Sequence, residues 1–359
     1  MSTAPSMIAQ APKLATRTGA ELVVDTLERL GVTSVFGYPG GAIMPVYDAL
    51  ARGKLKHYLV RHEQAAAFAA DASGRITGRA GVCIATSGPG ATNLITGIAN
   101  AFMDSVPLVA ITGQVPQTLM GTDAFQEIDM FSLTLPIVKH SVVIRDPRDI
   151  PAALAEAFAI AEGGRPGPVL VDLPKDVQQA VCSQWDEPME GDDLRPSPSP
   201  ESLVDAERLI ASAKKPLLYL GGGVARANAT ELVREISERT GIPAVATLQG
   251  LGVLPVEHPN FVGMLGMHGG RAANMAVQES DLLIVVGARF DDRATGHLAS
   301  FAPHASVVHI DTDAAEFGKL RHAHSTMCGD LKRCLRTIEF TPGDISDWQD
   351  ETRRLKDEH

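Results

Sequence analysis

Short apolar runs recur along this chain, and most break into a glycine- or proline-bearing turn that opens a helical stretch. Val32 to Phe36 leads into Gly37-Tyr-Pro-Gly-Gly41 and a helix near Pro45 to Leu50. Tyr58 to Val60 reads as a buried strand leading to Glu63, and Val82 to Thr86 leads into Ser87-Gly-Pro-Gly90 and a helix from Asn93 to Met103. Leu108 to Thr112 precedes Gly113-Gln114, and Pro168 to Leu173 precedes Pro174-Lys175-Asp176. Strand–turn–helix repetition of this kind demands parallel sheets with right-handed crossovers. The turns then gather on one edge of the sheet, the edge where open α/β sheets bind ligands.

The pattern stops and restarts. Residues 183–200 are acidic and rich in proline, which reads as a linker. A second series follows: Pro216 to Leu220 ending in Gly221-Gly-Gly223, Leu282 to Val286 ending in Gly287-Ala-Arg289, and Val307 to Ile310 ending in Asp311. The expectation is α/β throughout, as two doubly wound parallel-sheet domains over 16–182 and 201–340. Residues 1–15 read as a disordered tail, and 341–359, polar and charged, as the start of a further linker.

At 359 residues, 45% apolar, the chain has material for two sizeable cores. Aromatics are only 5% and the net charge is -11, which argues against nucleic acid or an anionic membrane as partner. Cys83, Cys182, Cys328 and Cys334 form no CxxC pair, so neither a zinc site nor a disulfide framework is implied. With no apolar stretch of spanning length and no signal-like segment, the expected location is the cytoplasm.

Glu63 is the most informative single residue. It follows a strand at the start of a helix whose face, Glu63, Ala67, Ala70 and Gly74, is nearly free of side chain, so something can approach it closely. A carboxyl in apolar surroundings can trade a proton near neutral pH. Read alone, it is better explained as an acid favoured by the helix dipole, and only its neighbours overturn that reading. The loops Tyr38-Pro-Gly-Gly41 and Ser87-Gly-Pro-Gly90 are tight turns, or backbones that can come close to a flat ligand. Neither is a P-loop. Together they suggest a pocket for a neutral heteroaromatic ring. In the second series Gly221 to Gly223 is not GxGxxG, Asp311 resembles a ribose-binding strand-end acid, and Arg289, Asp291 and Arg293 also read as a surface ion-pair cluster.

The segments Phe36-Gly-Tyr-Pro-Gly-Gly-Ala42, Arg61-His-Glu-Gln-Ala65, Thr86 to Asn93, Gly121 to Glu127 and Gly164 to Asp176 carry a family resemblance, as do Thr247 to Gly252, Gly263 to Gly269 and Gly287 to Arg293. They resemble the thiamin-diphosphate-dependent 2-keto-acid enzymes, and within them the large catalytic subunits of the acetolactate synthase family. The resemblance covers residues 18 to about 330. It implies that Glu63 hydrogen-bonds the cofactor's aminopyrimidine ring and helps to deprotonate its reactive carbon. It places Tyr38, Pro39, Pro89 and Asn93 around that ring, and Gly41, Phe125, Gln126 and Lys175 near the reacting carbon and the substrate entry. Without it, Lys175 reads as a solvated lysine and Phe125 as core. It also implies a structural FAD held by Arg165, Gly221, Gly222, Gly223, Thr247, Leu248, Leu265, Gly266, Met267, His268, Gly287, Ala288, Arg289, Asp291, Arg293, Asp311 and Asp330.

Ala294, Gly270, Asp313 to Glu316 and His322-Ala-His324 depart from the family pattern around the flavin. The largest departure is that no Gly-Asp-Gly segment with a following asparagine pair occurs in these 359 residues. In the family that segment binds the diphosphate and magnesium, so no metal site is expected here, and little or no activity from these residues alone. The implied reaction is a decarboxylating condensation of pyruvate with a second 2-keto acid such as 2-ketobutyrate, in branched-chain amino acid biosynthesis. The implied assembly is a homodimer or homotetramer with a small regulatory subunit. A non-catalytic FAD-binding paralogue and a related thiamin-dependent decarboxylase or oxidase remain as alternatives.

Overall fold

A computed structural model describes residues 16–186 and 197–359. They fall into two compact units that part between those spans. The expected tail over 1–15 and most of the acidic linker lie outside the described residues. No helix among them is long and apolar enough to cross a membrane.

In the first unit β1 (Arg17–Thr18) pairs antiparallel with β8 (Val181–Cys182). The main sheet comprises β2 (Ser34–Gly37), β3 (Lys56–Leu59), β4 (Gly81–Ala85), β5 (Leu108–Gln114), β6 (His140–Val143) and β7 (Pro168–Pro174). All its pairings are parallel, in the order β3-β2-β4-β5-β7-β6. Alternate strand residues feed two cores, as a sheet covered on both faces requires. Val82, Ile84, Val109, Ile111, Val169 and Val171 meet the helices Gly19–Arg29 and Ile150–Glu162. Cys83, Ala85, Leu108, Ala110 and Leu170 face the helices Glu63–Thr77 and Ile95–Asp104.

The second core is lined by alanine on its helices: Ala66, Ala67, Ala70 and Ala101. This corrects one expectation. The small face of Glu63–Thr77 is occupied along most of its length by the chain itself. A Cβ on Gly97 would fall 2.4 Å from Ala67 Cβ, and one on Gly74 would fall 2.4 Å from the Pro107 carbonyl. Only the Glu63 end is left for a ligand. A second correction concerns Tyr58 to Val60, read as a buried strand. The strand is Lys56–Leu59, at the sheet edge, where one flank has no neighbour to cover it; Tyr58 is 42% and Leu59 65% exposed.

The second unit holds β9 (Pro216–Leu220), β10 (Ala244–Ala246), β11 (Phe261–Met264), β12 (Leu282–Val286), β13 (Ser306–Asp311) and β14 (Ser325–Cys328). They pair in parallel in the order β11-β10-β9-β12-β13-β14. Numbered from β9 this is 3-2-1-4-5-6, the doubly wound order with its switch point between the first and fourth strands. A third correction falls here. Residues 341–359 are not a bare linker, because Ser346–Glu358 is a helix built into this unit. Trp348 and Leu355 are buried in its core, and Trp348 Nε1 donates to the Pro216 carbonyl at 2.9 Å. Mostly charged positions around a few apolar ones conceal such a helix from a reading of composition.

Candidate functional site

The first sheet also winds outward from β2, with β3 on one side and β4 on the other. The loops after β2 and β4 therefore part at a switch point, where open α/β sheets take ligands. Gly88 sits at φ +58°, a left-handed turn open to glycine, and Pro89 begins the short helix Pro89–Thr92. A Cβ on Gly40 would fall 2.5 Å from the Thr86 side chain, and Thr86 Oγ1 accepts from the Ala42 amide at 3.1 Å. The two loops are thus fastened to each other through Thr86.

Glu63 is the first residue of its helix. His62 precedes it with extended backbone, and His62 Nδ1 accepts from the Gln64 amide at 3.1 Å. The Glu63 side chain is buried, with its Oε2 accepting from Asn93 Nδ2 at 2.8 Å. Oε1 makes no hydrogen bond among the described residues and lies 3.2 Å from where a Cβ on Gly90 would stand. The carboxylate is therefore held by one oxygen and left to accept with the other. Glycine at position 90 keeps the approach to that oxygen clear. Tyr47, in the helix Met44–Leu50, has its phenol pushed above the usual range by burial, then by Cys83 and Glu63, and it donates to the Ile84 carbonyl at 3.2 Å.

Around this acid the rim is exposed. Tyr38, Pro39, Gly41 and Pro89 all face solvent, and a Cβ on Gly41 would meet nothing within 4 Å. The loop after β5 brings Gln126 against Gly88, whose Cβ would fall 2.7 Å from the Gln126 carbonyl. Gln126 adopts φ +60°. Phe125 beside it is 88% exposed, so it is not core. Glu127 ties this loop internally, accepting from the amides of Gly121, Thr122 and Ala124. Lys175 starts the helix after β7 on the same edge; it is half-buried and makes no ion pair among the described residues. The first unit so gathers Tyr38, Pro39, Gly41, Glu63, Pro89, Asn93, Phe125, Gln126 and Lys175 on one edge of one sheet. Sequence reasoning missed Thr86, the residue that fastens the loops, and the signal was its place at the end of β4 before the glycines.

Arg165, which the resemblance assigns to the flavin, also belongs to this unit. It precedes β7, at the opposite edge, with its Nε donating to Ser105 Oγ at 2.7 Å.

The other residues assigned to a flavin all lie at the strand-end edge of the second sheet. There Gly221 and Gly223 serve a purpose the sequence did not reveal. A Cβ on Gly221 would fall 2.2 Å from the Gly287 carbonyl and one on Gly223 2.7 Å from Gly287 Cα, while the Gly223 amide donates to the Gly287 carbonyl at 2.9 Å. These glycines let the loops after β9 and β12 touch across the switch point. Gly266 does the same against Arg293 and Ala294, and Met267 N donates to the Arg293 carbonyl at 2.8 Å. Asp291 and Asp330 each cap a short helix. Thr247, Leu248 and His268 sit in adjoining loops, with Leu248 and Met267 exposed. Leu265, Gly222 and Ala288 are buried beneath the rim, and Arg289 is half-buried. Burial pushes the Asp311 carboxyl above its ordinary range, against an amide donated by Asp313. Among the described residues no cluster of three or more His, Cys, Asp or Glu is arranged for a metal ion.

Comparison with known proteins covers both units. Residues 17–133 match the family described as thiamine pyrophosphate enzyme, N-terminal TPP binding domain, and residues 203–338 match the thiamine pyrophosphate enzyme central domain. The chain is 54% identical over 343 residues to the acetolactate synthase isozyme 2 large subunit of Escherichia coli K12, covering 95% of this chain and 62% of that protein. It is 54% identical over 343 residues to an acetolactate synthase of Mycobacterium bovis, covering 92% of this chain and 56% of that one. Against the Corynebacterium glutamicum large subunit it is 51% identical over 350 residues, 94% of this chain and 56% of the relative. The chain thus spans between about half and two thirds of the length of these relatives.

Proposed function

This chain belongs to the thiamine pyrophosphate enzyme family through its N-terminal and central domains, and from that premise we propose that it serves as part of an acetolactate synthase large subunit. The reaction is the condensation of pyruvate, with loss of carbon dioxide, onto a second 2-keto acid, pyruvate or 2-ketobutyrate. One observation carries this reading: a buried carboxylate at a sheet's switch point, fixed through Oε2 by Asn93 and free to accept at Oε1.

Bound at this edge, thiamin diphosphate supplies the carbon nucleophile and the electron sink for decarboxylation. Glu63 Oε1 would accept a hydrogen bond from a ring N–H there and could take up or return its proton. Asn93 holds the carboxylate so that the free oxygen keeps one direction. Tyr38, Pro39 and Pro89 bound the ring, and Gly41 leaves open the space beside it. Lys175, without an acidic partner among the described residues, would offer its ammonium to a substrate carboxylate, with Phe125 and Gln126 covering the entry.

We assign a structural FAD to the strand-end edge of the second sheet, with Arg165 of the first unit kept among the residues that the resemblance gives it. No magnesium ligand is assigned among the described residues. The family's Gly-Asp-Gly segment for the diphosphate is not among them, so by themselves they are expected to turn over little substrate. A small regulatory subunit and a dimeric or tetrameric assembly complete the reading.

A chimaera tests it: residues 1–359 joined to the remaining portion of the E. coli isozyme 2 subunit. Given pyruvate, thiamin diphosphate, magnesium and FAD, the chimaera is expected to release acetolactate. Acetaldehyde or acetate as the product indicates a decarboxylase or oxidase instead, and bound flavin with no turnover indicates a non-catalytic flavoprotein.

A further inference from the structure

Asp172 lies near the strand-end edge of β7, 1% exposed, and takes no part in the site described above. Its neighbours in register are Thr112 of β5 and Val143 of β6, neither of them charged. Thr112 Oγ1 donates to Oδ1 at 2.8 Å and Gln114 Nε2 donates to Oδ2 at 2.9 Å. Gln114 has no hydrogen-bonding capacity to spare on its nitrogen, because Nε2 also donates to the Ile128 carbonyl at 2.8 Å. Its Oε1 accepts from the Val115 amide at 2.9 Å, which fixes the orientation of the side-chain amide. Ile128 stands two residues beyond Gln126. One side chain therefore joins a buried acid in the sheet to the end of the loop that presents Phe125 and Gln126. The start of that loop has a separate tie, from Gln117 N to Asp176 Oδ1 at 3.1 Å.

A carboxylate in a sheet interior is costly unless it is hydrogen-bonded, and Thr112 and Gln114 supply those bonds here. Burial pushes the Asp172 carboxyl up to about 7; the bonds from Thr112 and Gln114 pull it down, and Asp129, the charged group that faces it, adds to the rise. Asp129 itself caps the helix Met130–Thr134 just past Ile128.

We propose that Asp172 is a positioning residue, which through the Gln114 amide fixes the Ile128 end of the loop carrying Phe125 and Gln126. The proposal rests on the reading above only for what the loop serves; the anchoring needs no ligand.

Two effects of the acid have opposite signs, and that makes them separable. The folded pKa lies above the unfolded one, so the contribution of this group to global stability is full below about 4, falls as pH rises, and is gone above about 7. The bond from Gln114 runs the other way, since an ionised acceptor holds a donor more strongly. Asp172→Asn removes the charge and keeps the shape. Above pH 7 it is expected to leave the unfolding midpoint unchanged or raised, while amides in 121–130 exchange hydrogen about tenfold faster. Wild-type protein is expected to approach the variant's exchange in this loop as pH falls below 7, with the strands unaffected.

Exchange in 121–130 that is the same in both proteins above pH 7 overturns the proposal. So does a rise spread evenly over the whole unit. Should D172N fail to fold, Gln114→Met cuts the bridge directly and Thr112→Val serves as its control. Loosening of 121–130 in the first and not in the second supports the proposal; equal behaviour of the two overturns it. None of these measurements uses cofactor or substrate, so a failed carboligation assay and a failed anchoring test are told apart.

Discussion

The two oxygens of Glu63 have different fates, and the glycines near them differ in the same way. Gly90 is packed: a Cβ there would stand 2.7 Å from Thr86 Cγ2 and 3.2 Å from Glu63 Oε1. Gly41 is open, with nothing within 4 Å of the same point. Gly90→Ala is expected to cost about 1–3 kcal/mol of unfolding free energy, the range for forcing an extra methyl into a filled space. Gly41→Ala is expected to stay within about 0.5 kcal/mol of wild type, as surface changes do, and yet to weaken binding of thiamin diphosphate in the chimaera. Denaturant titration and a cofactor titration check the pair. Glu63 was legible in the sequence because a lone acid between an apolar run and an alanine-rich helix is conspicuous. Its partner Asn93 was reachable only through resemblance, since 30 residues separate them. The partners of Gly221 and Gly223 were not legible at all. A glycine turn reads the same whether it spares room for a ligand or for another backbone.

Among the elements, apolar runs located the strands well, and their neighbours in the sheet decided the rest. Pro216–Leu220 and Leu282–Val286 stand where the runs placed them, because a strand buried on both faces is apolar throughout. Lys56–Leu59 also has its apolar residues but lies at the edge, and no local feature distinguishes an edge from a centre. The helix Ser346–Glu358 escaped notice because its buried positions are few. Trp348→Ala is expected to destabilise the second unit by about 3–5 kcal/mol, as deletion of a fully buried indole does, in thermal or denaturant unfolding. The loop 121–127 depends on Glu127, whose carboxyl is held below its ordinary range chiefly by the Gly121 amide. A depressed pKa means that the tie is present above the unfolded value and is lost as pH falls through the folded one. Proteolysis within 121–127 is therefore expected to accelerate at acid pH, and Glu127→Gln to show the same cleavage at neutral pH. Equal cleavage of both proteins at neutral pH runs against this.

For the whole molecule, two six-stranded parallel sheets with separate cores present a strand-end edge each. Each edge collects loops that are far apart in sequence, and that convergence follows from parallel topology alone. Residues 197–359 expressed alone are expected to unfold in one cooperative transition; a broad, non-cooperative melt contradicts that. The central claim is that the first edge activates thiamin diphosphate through Glu63. It is tested most directly by Glu63→Gln in the chimaera, with acetolactate formation and bound flavin measured on the same preparation. The account predicts a rate reduced by about 10²–10⁴-fold with flavin content unchanged. A variant that forms acetolactate at the rate of its parent contradicts it.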